Sequence, residues 1–237
     1  MDGRASQDPR PYGRRVFLAV ALGGLSSLWW GRTAWRGAAS VLSPVTGLLP
    51  DALETALPSP SSGWRIYNVN PPMPRFDPAR WRLRIDGLVE RPTTVSYDEV
   101  RALPRVEQTS DFHCVTGWSV LDVAWAGVRL ESLFELARPL ASASAVGFVS
   151  MEQPYADTLT LEQALLPDVL LAYELDGKPL SRPHGAPARM VIPRMYGYKG
   201  VKWLSGIRFD REPGLGYWEQ RGYDVDGWVG GSNGISS

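Results

Sequence analysis

The chain has 237 residues, 44% of them apolar and 21% charged, with Lys plus Arg and Asp plus Glu at 25 each. That length provides for one substantial domain with extra sequence, and the balanced charge excludes the global bias of a nucleic-acid or acidic-membrane binder. One cysteine excludes an internal disulfide and the C-x-x-C patterns of zinc ribbons, dithiol redox sites and c-type haem attachment.

Residues 1–37 read as an address. Arg14 and Arg15 precede an apolar run from Val16 to Trp30, which is shorter than the roughly 20 residues of a comfortable membrane span. The order R-R-x-F-L resembles the bacterial twin-arginine export motif, which carries proteins already folded. A signal peptide places the protein in the periplasm, and an uncleaved anchor would also associate its N-terminus with the membrane. Residues 38–63, rich in Ser, Pro and Gly, read as a linker, and residues 64–237 as the folded domain.

In chain order, "WRLRIDGLV" alternates Trp81, Leu83 and Ile85 with charged residues and predicts a half-buried strand entering a hairpin, with Asp86-Gly87 suggesting its turn. "SYDEVRALP" predicts a short helix opened by a Ser96/Glu99 capping box and closed by Pro104. After the cysteine segment come a helix at "LESLFELA", a strand at "AVGFV" and a second capping box, Thr160/Gln163, in "TLEQALLP". "LLAYELDGKPL" predicts a strand entering an Asp-Gly turn, and "ARMVIP" and "VKWLSGIRFD" predict two more strands. Strands outnumber short helices without regular alternation. The expected fold is therefore α+β with a mixed sheet.

Two segments carry chemistry. "DFHCVTGW" holds Cys114 beside His113, one of two histidines. A lone cysteine is most often a small buried hydrophobe, and His113 is a poor base for it because successive strand residues face opposite ways. One Cys and two dispersed His give no zinc spacing. "RPHGAPARMVIPRMYGYKGVKW" gathers His184, Arg189, Arg194, Lys199 and Lys202 among glycines and prolines. Such a loop is either a solvated basic connection or a seat for a bulky anion that the backbone approaches closely. No Walker or Rossmann glycine motif is present.

Together these segments resemble the molybdopterin-binding domain of the sulfite oxidase family, which includes bacterial periplasmic methionine sulfoxide reductases. The resemblance runs from about Trp64 to the C-terminus. It implies a molybdenum-molybdopterin cofactor with Cys114 as catalytic residue and thiolate metal ligand. It further implies cofactor contacts by Asn68, His113, Ser150, His184, Arg189, Gly200, Val201 and Lys202. The implied reaction is oxygen-atom transfer on a small S-oxide, N-oxide or similar substrate. The basic cluster that holds sulfite in vertebrate-type members is missing from "VTGWSVLDVAW", which argues against sulfite. The sequence has no haem motif, so the expected partner is a separate electron carrier, either a cytochrome or a membrane haem- or quinone-linked subunit. Trp118, Tyr155, Asp157 and Tyr196 are candidates for shaping a substrate pocket. The alternative is a non-catalytic anion- or pterin-binding module that keeps the family fold.

Overall fold

A computed structural model describes residues 63–231. The twin-arginine-like segment and nearly all of the linker lie outside the described residues, and the fold below is that of the unit beginning at Ser62.

Two sheets form the domain. The first has the order β2-β1-β10-β5-β6, built from β1 (Arg82–Gly87), β2 (Thr93–Ser96), β5 (Ala145–Ser150), β6 (Ala156–Thr160) and β10 (Leu204–Asp210). Its β1/β10 pair is parallel and the other pairs are antiparallel. The second runs β3-β4-β7-β8, with β3 (Arg105–Cys114), β4 (Trp118–Val128), β7 (Leu170–Leu175) and β8 (Lys178–Pro179), and β9 (Arg189–Val191) also pairs with β7. Among the described residues, three short α-helices, α1 (Tyr97–Ala102), α2 (Leu130–Ala137) and α3 (Leu161–Ala164), and two 3-10 turns, Arg182–His184 and Glu219–Arg221, complete the fold. This is the expected α+β, mixed-sheet architecture.

Local sequence explains most of these elements. In β1, Leu83 and Ile85 are fully buried while Arg82 and Arg84 face solvent, as a two-residue period requires. Both capping boxes form, Ser96 with Glu99 and Thr160 with Gln163, so each helix start satisfies two otherwise orphaned backbone donors. α2 buries Leu130, Leu133, Phe134 and Ala137 on one face. Each large side chain among them contributes about 1.5–3 kcal/mol by leaving water.

The long hairpin of β3 and β4 escapes the sequence pattern. Its register shifts between Ser110 and Phe112, Asp122 takes a positive φ of 54°, and Asp111 Oδ1 accepts a hydrogen bond from the Asp122 N–H at 3.0 Å. The inward phase slips there, from Trp118 and Val120 to Val123 and Trp125, so a bulge hides the strand from a period-two reading.

Asp176-Gly177 forms the expected tight turn, with φ of 50° and 72°. β1 does enter the expected hairpin with β2, but Asp86-Gly87 is not its tight turn. Gly87 ends β1 itself, and a Cβ there would stand 2.1 Å from the Phe209 carbonyl oxygen of β10. Gly87 and Gly177 both have positive φ, but only Gly87 is crowded. Gly177→Ala should therefore cost about 1–2 kcal/mol from backbone strain alone. Gly87→Ala should cost clearly more, because the β1/β10 pair must also part. Chemical denaturation of both variants measures the difference, and equal losses would contradict the close approach.

Candidate active site

β3 delivers Cys114 at its end. The Gly117 N–H donates to the Cys114 carbonyl at 3.0 Å, and Gly117 adopts a φ of 85°, so the chain reverses within three residues into β4. The turn brings Cys114 Sγ to 3.2 Å from Thr116 Oγ1. It also places the partly buried thiol on the wall of a cavity of about 480 Å³.

The basic segment supplies the opposite side. Arg189, at the start of β9, is buried, and its guanidinium carbon lies 5.3 Å from the ring centroids of both Phe112 and Trp125. Its Nη1 donates to the His184 carbonyl at 3.3 Å, while its Nε has no partner. Burial pushes the guanidinium down to about 10. Lys202 Nζ donates to the Tyr67 carbonyl at 2.6 Å and lies 4.1 Å from the Trp203 ring centroid. Burial, reinforced by Arg189, pushes this ammonium down to about 7 against the opposing pull of Glu152. Neither cation makes an ion pair among the described residues.

The remaining polar groups hold these in place. Glu152 Oε1 accepts from the backbone N–H groups of Val69 and Asn70 at 2.7 and 2.9 Å, which fixes the segment carrying Asn68 along the cavity. Ser150 is fully buried, donating to the Lys202 carbonyl at 2.8 Å and accepting from the Glu152 N–H at 2.9 Å. His184 stands edge-on to Trp64 at 5.1 Å with Nδ1 2.9 Å from Ser181 Oγ, and its Nε2 has no partner. Burial, then Arg189 and Lys202, push its imidazole down to about 3, so it is neutral. Gly200 is a close-approach position. A Cβ there would meet the Met190 carbonyl at 2.8 Å and lie 3.7 Å from Arg189 Nη2.

The structure thus brings Cys114, Asn68, Arg189, Gly200 and Lys202 around one cavity. Ser150, His184 and Val201 stand behind it, Val201 as a fully buried residue whose carbonyl accepts from the Met190 N–H. His113 turns the other way. Its Nδ1 lies 2.8 Å from Ser119 Oγ, and its carbonyl accepts from the N–H of cavity-lining Gly197. Two basic residues of the segment leave the anion-binding group: Arg194 pairs with Asp168, and Lys199 is buried between Asp157 and Glu219. Trp118 and Tyr155 line the cavity, whereas Asp157 and Tyr196 do not. Sequence reasoning missed Tyr67, Tyr217, Trp218 and Tyr223 on the cavity wall. The aromatic density of "GLGYWEQRGY" after the last strand was the available signal.

The residues fit a bulky, anionic, metal-bearing group. Arg189 Nε, His184 Nε2 and Trp118 Nε1 are buried donors or acceptors without partners, and all three belong to residues in or directly behind the cavity that exposes the single thiol. Buried polar atoms are normally satisfied, so these positions call for a ligand rich in acceptors and donors. A soft sulfur ligand beside such a cavity suits a transition metal. Among the described residues there is no cluster of three or more His, Cys, Asp or Glu to hold a metal independently.

Comparison with known proteins agrees with this class. The family model described as the oxidoreductase molybdopterin binding domain matches residues 70–218. The uncharacterized oxidoreductase YuiH of Bacillus subtilis (strain 168) is 42% identical over 151 residues, covering 64% of this chain and 76% of that protein. The protein-methionine-sulfoxide reductase catalytic subunit MsrP of Campylobacter jejuni is 32% identical over 160 residues, covering 61% of this chain and 54% of that protein. The crystal structure of the sulfane dehydrogenase SoxCD from Paracoccus pantotrophus shares the fold at a TM-score of 0.56 and 22% identity, covering 60% of this chain and 41% of that one. The chain thus spans about half the length of the Campylobacter protein and less than half of the sulfane dehydrogenase chain. It belongs to the family of molybdopterin-binding oxidoreductases with the sulfite-oxidase-type domain, and it is an enzyme of that class.

Lys202 gives a pH test of the ligand-free site. Its folded value near 7 lies below the unfolded value of about 10.4. Below pH 7 the lysine is charged in both states and the full burial penalty applies. Between pH 7 and about 10 the unfolded chain binds more protons, so stability rises with pH. Ligand-free Lys202→Met should therefore melt higher relative to wild type at pH 6.5 than at pH 9. The gap should shrink by roughly 3 °C or more for a domain of this size. A pH-independent gap would contradict the buried, unpaired ammonium.

Proposed function

We propose that this protein binds a molybdenum-molybdopterin cofactor in the cavity, with Cys114 as the protein's thiolate ligand to the metal. We further propose that it carries out oxygen-atom transfer on a small S-oxide, N-oxide or similar substrate. One observation carries the reading: the only thiol in the chain opens onto a cavity whose cations, buried Arg189 and half-buried Lys202, make no ion pair among the described residues. Similarity to the Campylobacter protein-methionine-sulfoxide reductase catalytic subunit supports an S-oxide within that class.

The chain's own residues then divide the work. Arg189 and Lys202 supply fixed donors for an anionic tail, and charge-assisted hydrogen bonds of this kind are about twice as strong as neutral ones. Neutral His184, through its unpartnered Nε2, and Asn68 are assigned to the neutral polar edges of the pterin, Gly200 to a close approach of the backbone, and Val201 to packing behind it. Ser150 holds Lys202 and Glu152 in register through its two hydrogen bonds. His113 is assigned an indirect part, its carbonyl holding Gly197 at the cavity rim. Thr116 lies within hydrogen-bonding distance of Cys114 Sγ, where a hydroxyl donor tempers the basicity of a thiolate. Bound there, the metal supplies a two-electron exchange coupled to oxygen-atom transfer.

Reduction of a sulfoxide consumes two electrons and two protons and releases water, so a separate electron carrier is part of the proposal. The carrier is a cytochrome or a membrane haem- or quinone-linked subunit. Residues 64–237 are assigned as the catalytic unit, joined by the 38–63 linker to a 1–37 export signal or membrane anchor that places the enzyme in the periplasm. Arg14 and Arg15 are the basis for that assignment.

Cys114→Ser separates ligation from packing. A serine hydroxyl hardly ionises near neutrality and is a hard ligand, so sulfoxide turnover with an artificial reductant should fall by at least about a hundredfold. Melting should shift by no more than the equivalent of about 1–2 kcal/mol. Retained turnover with a lowered melting point would return Cys114 to a packing role.

A further inference from the structure

Behind one wall of the cavity lies a charge cluster that the proposed chemistry does not use. Lys199 Nζ sits 2.6 Å from Asp157 Oδ1 and 2.6 Å from Glu219 Oε1, and the three side chains are only 2%, 1% and 1% exposed. The same ammonium donates to the Val225 carbonyl at 2.8 Å. Two carboxyl groups share one cation, and Asp157 Oδ2 and Glu219 Oε2 have no partner. Burial holds the Asp157 carboxyl well above the ordinary range, with Lys199 opposing the rise and Glu219 adding to it.

Such a cluster is costly unless its geometry serves something, since a well-packed apolar substitute is often as stable. Its position indicates what it serves. None of the three residues lines the cavity, yet each neighbours residues that do. Asp157 is two residues from Tyr155, Lys199 lies between Tyr198 and Gly200, and Glu219 follows Tyr217 and Trp218. Ring centroids run in sequence around this wall, Tyr155 to Tyr217 at 5.6 Å, Tyr217 to Trp218 at 5.2 Å, Trp218 to Tyr223 at 5.0 Å and Tyr223 to Tyr198 at 5.3 Å. The Tyr155 hydroxyl donates to the Tyr198 carbonyl and closes the circuit. Gly216 passes so near the cluster that a Cβ would stand 2.3 Å from Glu219 Oε2. The family match ends at residue 218, immediately before Glu219.

We propose that Lys199, held by Asp157 and Glu219, is a positioning residue that clamps the C-terminal segment so that five aromatic rings form one cavity wall, and that this wall selects substrate by contact with its apolar part. Contact of this kind favours an uncharged sulfoxide with an apolar substituent over a small oxyanion, because burial of apolar area drives binding, while the cation nearest the wall, Arg221, is taken up by stacking on the Tyr217 ring and donating to the Tyr217 carbonyl. The substrate half of the inference rests on the proposed function; the clamp half does not.

The test replaces the cluster by neutral residues of similar shape, Lys199→Met with Asp157→Asn and Glu219→Gln, in the cofactor-loaded enzyme, so that no charge is left buried alone. Hydrogen exchange reads the clamp. The Tyr217 amide, bonded to the Ala156 carbonyl, and the Tyr223 amide, bonded to the Trp218 carbonyl, should exchange at least about tenfold faster, with the amides of β10 unchanged. Turnover reads the selection. KM for an aryl methyl sulfoxide should rise about tenfold, with kcat within about threefold of wild type and pterin content unaltered. The single change Glu219→Gln, which leaves the Lys199–Asp157 pair, should move exchange and KM in the same directions by about threefold, and it decides the matter if the triple variant does not fold. Unchanged exchange would overturn the clamp, and unchanged KM or lost pterin would overturn the selective wall. If wild type reduces no sulfoxide, the proposed function fails while exchange still decides the clamp.

Discussion

A buried guanidinium and a half-buried ammonium, without acidic partners among the described residues, set the terms for the whole site. Arg189 lies between two aromatic rings, and Lys202 is held by carbonyls against Trp203. Such charges are unfavourable in isolation, and in stable proteins they are paired or meet a ligand. The same segment pairs two other basic side chains with acids, Arg194 with Asp168 and Lys199 with Asp157 and Glu219, and Arg182 donates to the Met73 and Pro74 carbonyls. Arg189 and Lys202 both face the cavity that holds the thiol. This arrangement supports the proposed reading of an anionic ligand that carries a thiophilic metal.

The fold explains why these groups converge. The β3–β4 hairpin ends in a turn that projects Cys114, and β9 pairs with β7 so that Arg189 enters behind Phe112 and Trp125. The loop after β9 then folds back through Gly197 and Gly200, positions where a side chain would strike the Phe112 ring or the Met190 carbonyl. Trp64 and the apolar side chains of β4, β7 and β9 form a separate cluster that makes this corner rigid. Chemistry sits on elements fixed by packing, and the aromatic wall comes from a segment fastened by buried charge.

The sequence was legible wherever a local rule decides the structure. Two capping boxes, the alternation in β1 and the Asp176-Gly177 turn are each settled by neighbouring residues. The β3–β4 hairpin was not legible because a bulge shifts its inward phase, and Gly87 was misread because its glycine serves a distant strand rather than a turn. At the site, Cys114, Arg189 and Lys202 were named from residue type and the family resemblance and Gly200 from the resemblance alone, and the structure places all four around one cavity. His113 could be doubted as a base from strand alternation alone, and its ring does point away. Lys199 and Asp157 were assigned to anion and substrate respectively, because no local pattern reveals that they pair across 42 residues with each other and with Glu219.

Ligation by Cys114 within a cation-lined pterin cavity is the central claim, and X-ray absorption at the molybdenum edge of the purified, cofactor-loaded protein tests it most directly. A dithiolene and one thiolate predict three sulfur neighbours in wild type and two in Cys114→Ser, with pterin still bound. The same sulfur count in both proteins, or a wild-type protein that takes up neither molybdenum nor pterin in a sufficient host, would contradict it.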